Sequence, residues 1–260
     1  MTKIYFDKFQ KVYTLNCFIF VILTSILFFL FFDILIFEFT RNVHGHFFSF
    51  FKHVIDPLSD ILDPLHVSLF LIILLMISNN FEIIAKNSRK ICFLEDKTAL
   101  SRTEILSIFN YYRLIIKHCL ISIIAAGIIC NALKYILGVA RPKYFFFENA
   151  ERLDFFNIVQ KMNSFPSGHS QAAFTLAALT LLYVNRFSIV ILLLASLMAI
   201  SRIFMSMHFP SDIIFGAYIG LIIPLVIYKH FFYAKFKIEE NQDFITLNNF
   251  SRLLYWKFYV

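Results

Sequence analysis

Ser201-Arg202-Ile203-Phe204-Met205-Ser206-Met207-His208-Phe209-Pro210-Ser211-Asp212 sets an arginine, a histidine and an aspartate inside a chain that is otherwise apolar enough to sit in a bilayer. An ionisable side chain at mid-depth costs about 2.5–3.5 kcal/mol to insert, so such groups are rarely idle. His208 and Asp212 stand four apart. On a helix that puts them on one face, where a carboxylate can fix the tautomer of an imidazole and stabilise its protonated form. This is the wiring of a nucleophile or a base at the end of a membrane helix.

The rest of the chain agrees with that setting. Of 260 residues 59% are hydrophobic and 35 are phenylalanine, and the mean hydropathy is +0.72. With only 16% charged residues, a water-soluble surface could not be covered. The fold class is therefore all-α, a polytopic membrane helical bundle. The net charge of +7 does not point to nucleic acid, because the basic residues fall in short segments between apolar runs rather than on one soluble face. Cys17, Cys92, Cys119 and Cys130 form no Cys-x-x-Cys pair, and neither a disulfide framework nor a zinc site is inferred. No internal repeat or linker appears, so residues 1–234 read as a single six-span domain and 235–260 as a cytoplasmic tail.

The spans are expected at Cys17 to Phe37, from Ser59 or Leu65 to Ser78, Leu114 to Gly138, Pro166 to Tyr183, Phe187 to about Met207, and about Asp212 to Tyr228. The first lacks a small-residue cleavage site and reads as uncleaved. Asp33 reads as a residue at its water boundary. Glu38 to Pro64 reads as a loop in which His44, Gly45 and His46 invite a metal reading, but no carboxylates or cysteines stand at ligand spacing, and no metal is expected. Thr103 and Glu104 open a short interfacial helix, Asn185-Arg186 a tight turn, and Lys117 and His118 read as structural. The tail patch Leu253-Leu254-Tyr255-Trp256 is suited to the interface. Fifteen Lys and Arg, Lys3 among them, fall on the side of the termini and seven on the other. The positive-inside rule then places both termini in the cytoplasm and the polar clusters at the external face.

At that face three separate stretches deliver polar groups: the end of span three, the start of span four, and the junction of spans five and six. Lys134 and Arg141 are seven apart, two helical turns, and point the same way while the helix lasts. Arg202 adds a third cation. Ser167 and Gly168 stand where a helix begins, with unpaired N–H groups and room for close approach, which suits an anion. Three cations, a helix N-terminus and two histidines, His169 and His208, read as a phosphate site. Ser201 caps or packs.

Lys134-x6-Arg141-Pro142, Pro166-Ser167-Gly168-His169 and Ser201-Arg202-x5-His208-x3-Asp212 resemble the three-part signature of the type 2 phosphatidic acid phosphatase family, which shares its core with vanadium haloperoxidases. The match covers residues 134 to 212, about a third of the chain. The resemblance implies hydrolysis of a phosphate ester without metal or other cofactor, through a phosphohistidine. In that scheme His208 attacks phosphorus, Asp212 orients it, and His169 protonates the leaving group. Lys134, Arg141, Arg202, Ser167 and the Gly168 backbone hold the phosphoryl oxygens.

A site at the external ends of membrane helices, beside the aromatic run Tyr144 to Phe147, suits a phosphorylated membrane lipid. The family range offers lipid A, undecaprenyl diphosphate, phosphatidylglycerophosphate and phosphatidate, and the topology favours the first two in a bacterial inner membrane. A transporter that binds such a lipid without cleaving it is the rival class. Its usual marks, broken helices and inverted repeats, are not visible.

Overall fold

The computed structural model describes residues 4–42, 44–79, 81–184, 186–239, 242–257 and 259. Among them the chain is helical, with isolated bridges in place of strands. In chain order come α1 (Leu15–Asn42), α2 (His44–Phe50), α3 (Asp56–Ile61), α4 (Pro64–Asn79), α5 (Ser88–Thr98), α6 (Arg102–Leu137), α7 (Pro142–Phe147), α8 (Gly168–Tyr183), α9 (Ser188–Phe204), α10 (Pro210–Ile227) and α11 (Leu247–Lys257). Shorter helices lie at Phe81–Lys86 and Tyr233–Glu239.

Leu15–Asn42, Phe47–Asn79, Arg102–Leu137 and Pro210–Lys237 are long and apolar enough to cross a membrane. The fourth and fifth expected spans are the 16-residue α8 and the 17-residue α9, each about 25 Å long at 1.5 Å per residue. The membrane reading gains physical force on α1, where Leu15, Phe20, Leu23, Leu30, Phe31, Leu35 and Phe39 are each more than 60% exposed. Leaving such side chains in water costs about 1.5–3 kcal/mol apiece, or roughly 10–20 kcal/mol together, as much as the whole net stability of a typical domain. Lipid removes that cost.

Three expectations change. Glu38 to Pro64 is largely helical, because α1 runs on to Asn42, and α2, a π turn at Phe51–Ile55 and α3 come after it. The third span does not begin at Leu114. Ser101 and Glu104 form a capping box, in which the Ser101 N–H donates to Glu104 Oε2 at 2.8 Å and the Glu104 N–H to Ser101 Oγ at 3.4 Å. This starts α6 at Arg102, so no separate interfacial helix forms. The tail helix α11 packs through one side, with Leu253 of the expected patch fully buried and the Phe250 ring stacked 4.1 Å from that of Tyr112, while Tyr255 stays exposed. Lys3 and Asn185 lie outside the described residues.

The chain divides into two compact units. Val67–Ile121 with Ile227–Val260 makes one of them. Its core joins Leu94, Ile105, Ile108 and Leu253, with Phe81 stacked 3.8 Å from Phe109 and the buried His118 5.2 Å from the Phe232 ring.

Tyr5–His66 with Ser122–Val226 makes the other unit, which holds every site residue read from the sequence. Its packing rests on small residues. Ala173 and Ala177 of α8 meet Ala195 and Met198 of α9, together with Phe51 and Ile55. A second cluster joins Phe37 of α1 to Ala199, Ile203, Phe209 and Ile213. Arg41 closes the end of α9 by donating from Nη2 to the carbonyls of Ile203 (3.1 Å) and Phe204 (2.6 Å), a cation set where a helix leaves carbonyls unpaired. α10 approaches α8 so closely that a Cβ on Gly216 would lie 2.5 Å from the Ser167 carbonyl oxygen, and one on Gly220 2.3 Å from that of Gln171. Only glycine lets these backbones meet.

Candidate active site

α6 ends at Leu137, next to the Gly138 where the third span is expected to stop, because Gly138 turns left-handed at φ +53° and its N–H caps the Lys134 carbonyl at 3.0 Å. Lys134 and Arg141 therefore do not share a helix face. Arg141 arrives on a short strip that follows the Gly138 turn, Val139 to Arg141, pinned from both sides. On one side Ala140 N–H donates to the Arg152 carbonyl (3.1 Å) and Asp154 N–H to that of Gly138 (2.8 Å). On the other, Arg141 N–H donates to the Lys161 carbonyl (3.0 Å) and Ser164 N–H to that of Val139 (2.9 Å). The strip thus fixes Arg141, Arg152 and Ser164 in one frame.

Lys134, 8% exposed, donates from Nζ to the Asn163 carbonyl at 2.9 Å. Its stem passes beside Gly168, where a Cβ would stand 3.8 Å from Lys134 Cε. Arg141 Nη1 lies 3.9 Å from Met207 Sδ, and its buried Nε has no partner among the described residues. Ser167 is the N-cap of α8, accepting from Ser170 N–H (3.4 Å) and Oγ (2.9 Å). Its own N–H donates to the Asp212 carbonyl at 2.9 Å, which ties α8 to the start of α10. Gly168 and His169 are the first helical residues after it, with His169 exposed. The charged groups acting on His169 are Arg202, Asp56, Lys134 and Asp63.

His208 and Asp212 do meet, though not on one helix face. His208 lies in the turn before α10, and Asp212 is in the first turn of that helix. The Asp212 carboxylate reaches back so that Oδ2 accepts from the Phe209 N–H at 2.7 Å, an acidic cap on its own helix start. The same oxygen accepts from Ser164 Oγ at 2.5 Å and lies 3.5 Å from His208 Nδ1. Ser164 Oγ is also 3.5 Å from that nitrogen. Nδ1 is thus the engaged side of the ring. His208 is 3% exposed. Burial first, then Lys134, Arg141 and His169, hold its pKa well below the ordinary 6.5, so the ring is neutral with a lone pair to give.

Arg202, 5% exposed, is held from Nε by Ser201 Oγ at 3.2 Å and pairs through Nη2 with Asp56 Oδ1. Its carbonyl accepts from both the Met207 (3.0 Å) and His208 (3.3 Å) N–H groups. Beside His169 opens a cavity of about 280 Å³ whose polar lining includes Ser59, Asp63, Asn131 and Gln171. Of the aromatic run, Phe146 stacks on Phe37 at 4.9 Å and Phe145 packs beside it, whereas Phe147 is exposed. The side chains of His44 and His46, which invite a metal reading, lie outside the described ones.

All eight site residues read from the sequence, Lys134, Arg141, Ser167, Gly168, His169, Arg202, His208 and Asp212, stand in this one unit. Sequence reasoning missed Ser164, Asp33, Arg152 and Asp56. Ser164 carries a faint signal, a hydroxyl two residues ahead of Pro166. Asp33 carries only its presence in an apolar run, and it is not a boundary residue, being 1% exposed.

Residues 116–236 match the profile of the PAP2 superfamily. Among curated proteins, the chain is similar to the lipid A 1-phosphatase of Rhizobium johnstonii, 29% identical over 134 residues, or 50% of this chain and 53% of the relative. It is also similar to that of Rhizobium etli, 28% identical over 134 residues, or 50% and 56%. The match spans about half the length of these relatives. No solved structure matches.

Proposed function

We propose that this chain, whose residues 116–236 match the PAP2 superfamily, is a type 2 phosphatidic acid phosphatase family member: a membrane lipid phosphatase that hydrolyses a phosphate monoester or diphosphate through a phosphohistidine. The observation that carries this is the meeting, in one unit, of Lys134, Arg141 and Arg202 with a buried His208 whose Nδ1 faces Asp212 and Ser164. With Nδ1 so engaged, Nε2 is the nitrogen left for phosphorus. Its attack forms a P–N bond as the P–O bond to the lipid breaks, and the departing oxygen takes a proton from His169. Water, giving its proton to His169, then attacks phosphorus, and phosphate leaves as the P–N bond breaks. Throughout, the three cations and the N-terminus of α8 balance charge on the equatorial oxygens, the largest contribution phosphoryl transfer asks of a protein.

The phosphoryl group is what these residues recognise. The leaving group has the cavity beside His169, whose Ser59, Asp63, Asn131 and Gln171 offer a polar lining to a headgroup. Lipid A is the first substrate to test, because the Rhizobium relatives are lipid A 1-phosphatases. Undecaprenyl diphosphate comes second, then phosphatidylglycerophosphate and phosphatidate. The site is read as external and the termini as cytoplasmic, on the charge asymmetry of the sequence.

The test is inorganic phosphate release by the full chain in detergent with EDTA, from each of these four lipids. His208→Ala should lower turnover by at least about 10³-fold, in the range seen when a catalytic nucleophile is removed, while the protein still inserts. Near-full activity in that variant sinks the mechanism. Binding of a lipid without phosphate release from any would turn the reading toward transport.

A further inference from the structure

Asp33 is the first residue after a π turn, Phe28–Phe32, in α1. Such a turn inserts an extra residue into the helix and re-aims the side chains beyond it. Here the next residue is a carboxylate, 1% exposed, lying against the helix that starts just after the nucleophile. Asp33 Oδ1 accepts from the Ser211 N–H at 2.9 Å, and Oδ2 accepts from Ser211 Oγ at 2.6 Å and from Arg152 Nη2 at 2.5 Å. Both oxygens are committed, and Ser211 is the neighbour of Asp212.

Arg152 closes the arrangement from the other side. Its guanidinium carbon lies 4.7 Å from the ring centroid of Phe209 and 4.0 Å from that of Phe29. Phe209 is fully buried, and it supplies the N–H that Asp212 Oδ2 accepts. Arg152 itself hangs from the strip that carries Arg141, through its carbonyl. One carboxylate of α1 is thereby joined to the residues that directly follow His208 and to the frame of the phosphate-binding cations.

We propose that Asp33 and Arg152 are positioning residues for the hydrolysis: they lock Phe209, Ser211 and Asp212, and through them hold the His208 imidazole in line with phosphorus. The inference rests on the reading of His208 as the nucleophile. Neither residue belongs to the three motifs of the sequence. An error of about 1 Å in a reacting group costs on the order of 10²-fold in rate, so release of this clamp shows in turnover rather than in binding.

The experiment measures steady-state kcat and KM for phosphate release by the full chain in detergent, using whichever of lipid A, undecaprenyl diphosphate, phosphatidylglycerophosphate or phosphatidate the unaltered chain turns over. Asp33→Asn, which keeps the shape and removes the charge, and Arg152→Met should each lower kcat by about 10–100-fold, with KM within about threefold because the cations that hold phosphate are untouched. Arg152→Lys should recover part of the loss, and the double variant Asp33→Asn/Arg152→Met should be no worse than the poorer single one, as for residues acting as a unit. If Asp33→Asn does not fold, Arg152→Lys and Ser211→Ala decide the matter by a lowered kcat at constant KM. Unchanged kcat in the folded variants, or a raised KM at full kcat, overturns the proposal. No release from any lipid by the unaltered chain is the different result, one that defeats the phosphatase reading.

Discussion

Asp33 and Asp56 invite comparison because each comes directly after a π turn and each meets an arginine of the site region. Asp33 is fully enclosed, with two hydrogen bonds from Ser211 and one from Arg152. Asp56 has its side chain 26% exposed and pairs with Arg202, one of the three cations read as phosphate ligands. Removing one partner of a buried, hydrogen-bonded pair strands the other and costs about 3–5 kcal/mol. A carboxylate still open to water on one side is cheaper to release, toward the about 0–1 kcal/mol of an exposed pair. The contrast predicts opposite jobs for the two pairs: the enclosed one acts as scaffold, and the more open Asp56 carboxylate gives way when a phosphoryl oxygen reaches Arg202.

If Asp33 is scaffold, loosening its neighbour Asp212 from another direction should also reduce turnover. Ser164→Ala removes the 2.5 Å bond to Asp212 Oδ2, and the loss of one such bond, about 1–2 kcal/mol, predicts a fall in kcat of about tenfold, read by phosphate release. An unchanged kcat would detach Ser164 from the nucleophile's support. If Asp56 is exchangeable, Asp56→Asn should free Arg202 and lower KM, and the inhibition constant for inorganic phosphate, by at most about fivefold at constant kcat. A rise in both would make Asp56 scaffold as well, and the contrast would be lost.

The smallest effect is a displacement on the pH axis. The His208 pKa lies well below 6.5, so the neutral, attacking form persists as pH falls through 6.5, and the acid limb of kcat/KM belongs below that value. Rates collected from about pH 4 to 9 check this. A limb at or above 6.5 would mean that burial and the cations around His208 do not act on it as their positions indicate.

The site was more legible in the sequence than its geometry. Motif spacing marked Lys134, Arg141, Arg202, His169, His208 and Asp212, because charged groups in an apolar chain stand out whatever the backbone does. How they meet was not legible. The spacing of Lys134 and Arg141 puts them on one face only while the helix lasts, and Gly138 ends it between them, but a glycine near a helix end looks the same in sequence whether or not it turns left-handed. Likewise the four-residue spacing of His208 and Asp212 suits a helix face, and the structure uses it as a cap. The residues missed altogether, Asp33, Asp56 and Arg152, meet their ion-pair partners across 119 positions for Asp33 and Arg152 and 146 for Asp56 and Arg202, and Asp56 lies in a run that reads as a loop. Periodicity carries no record of a π turn, and the enclosing of Asp33 depends on one.

Gly216 has no functional group and stands more than a helical turn from the nearest reacting side chain in sequence, yet the smallest possible addition to it would press 2.5 Å against the Ser167 carbonyl oxygen. That oxygen belongs to the N-cap of α8, whose N–H is bonded to Asp212, so the intrusion is felt at both ends of the chemistry. A library of single substitutions graded by growth or turnover would place Gly216 in the same class as His208. The two would separate only in abundance: the histidine variant accumulates as inert protein, while the alanine at 216 wedges two helices apart and lowers the amount of protein that reaches the membrane.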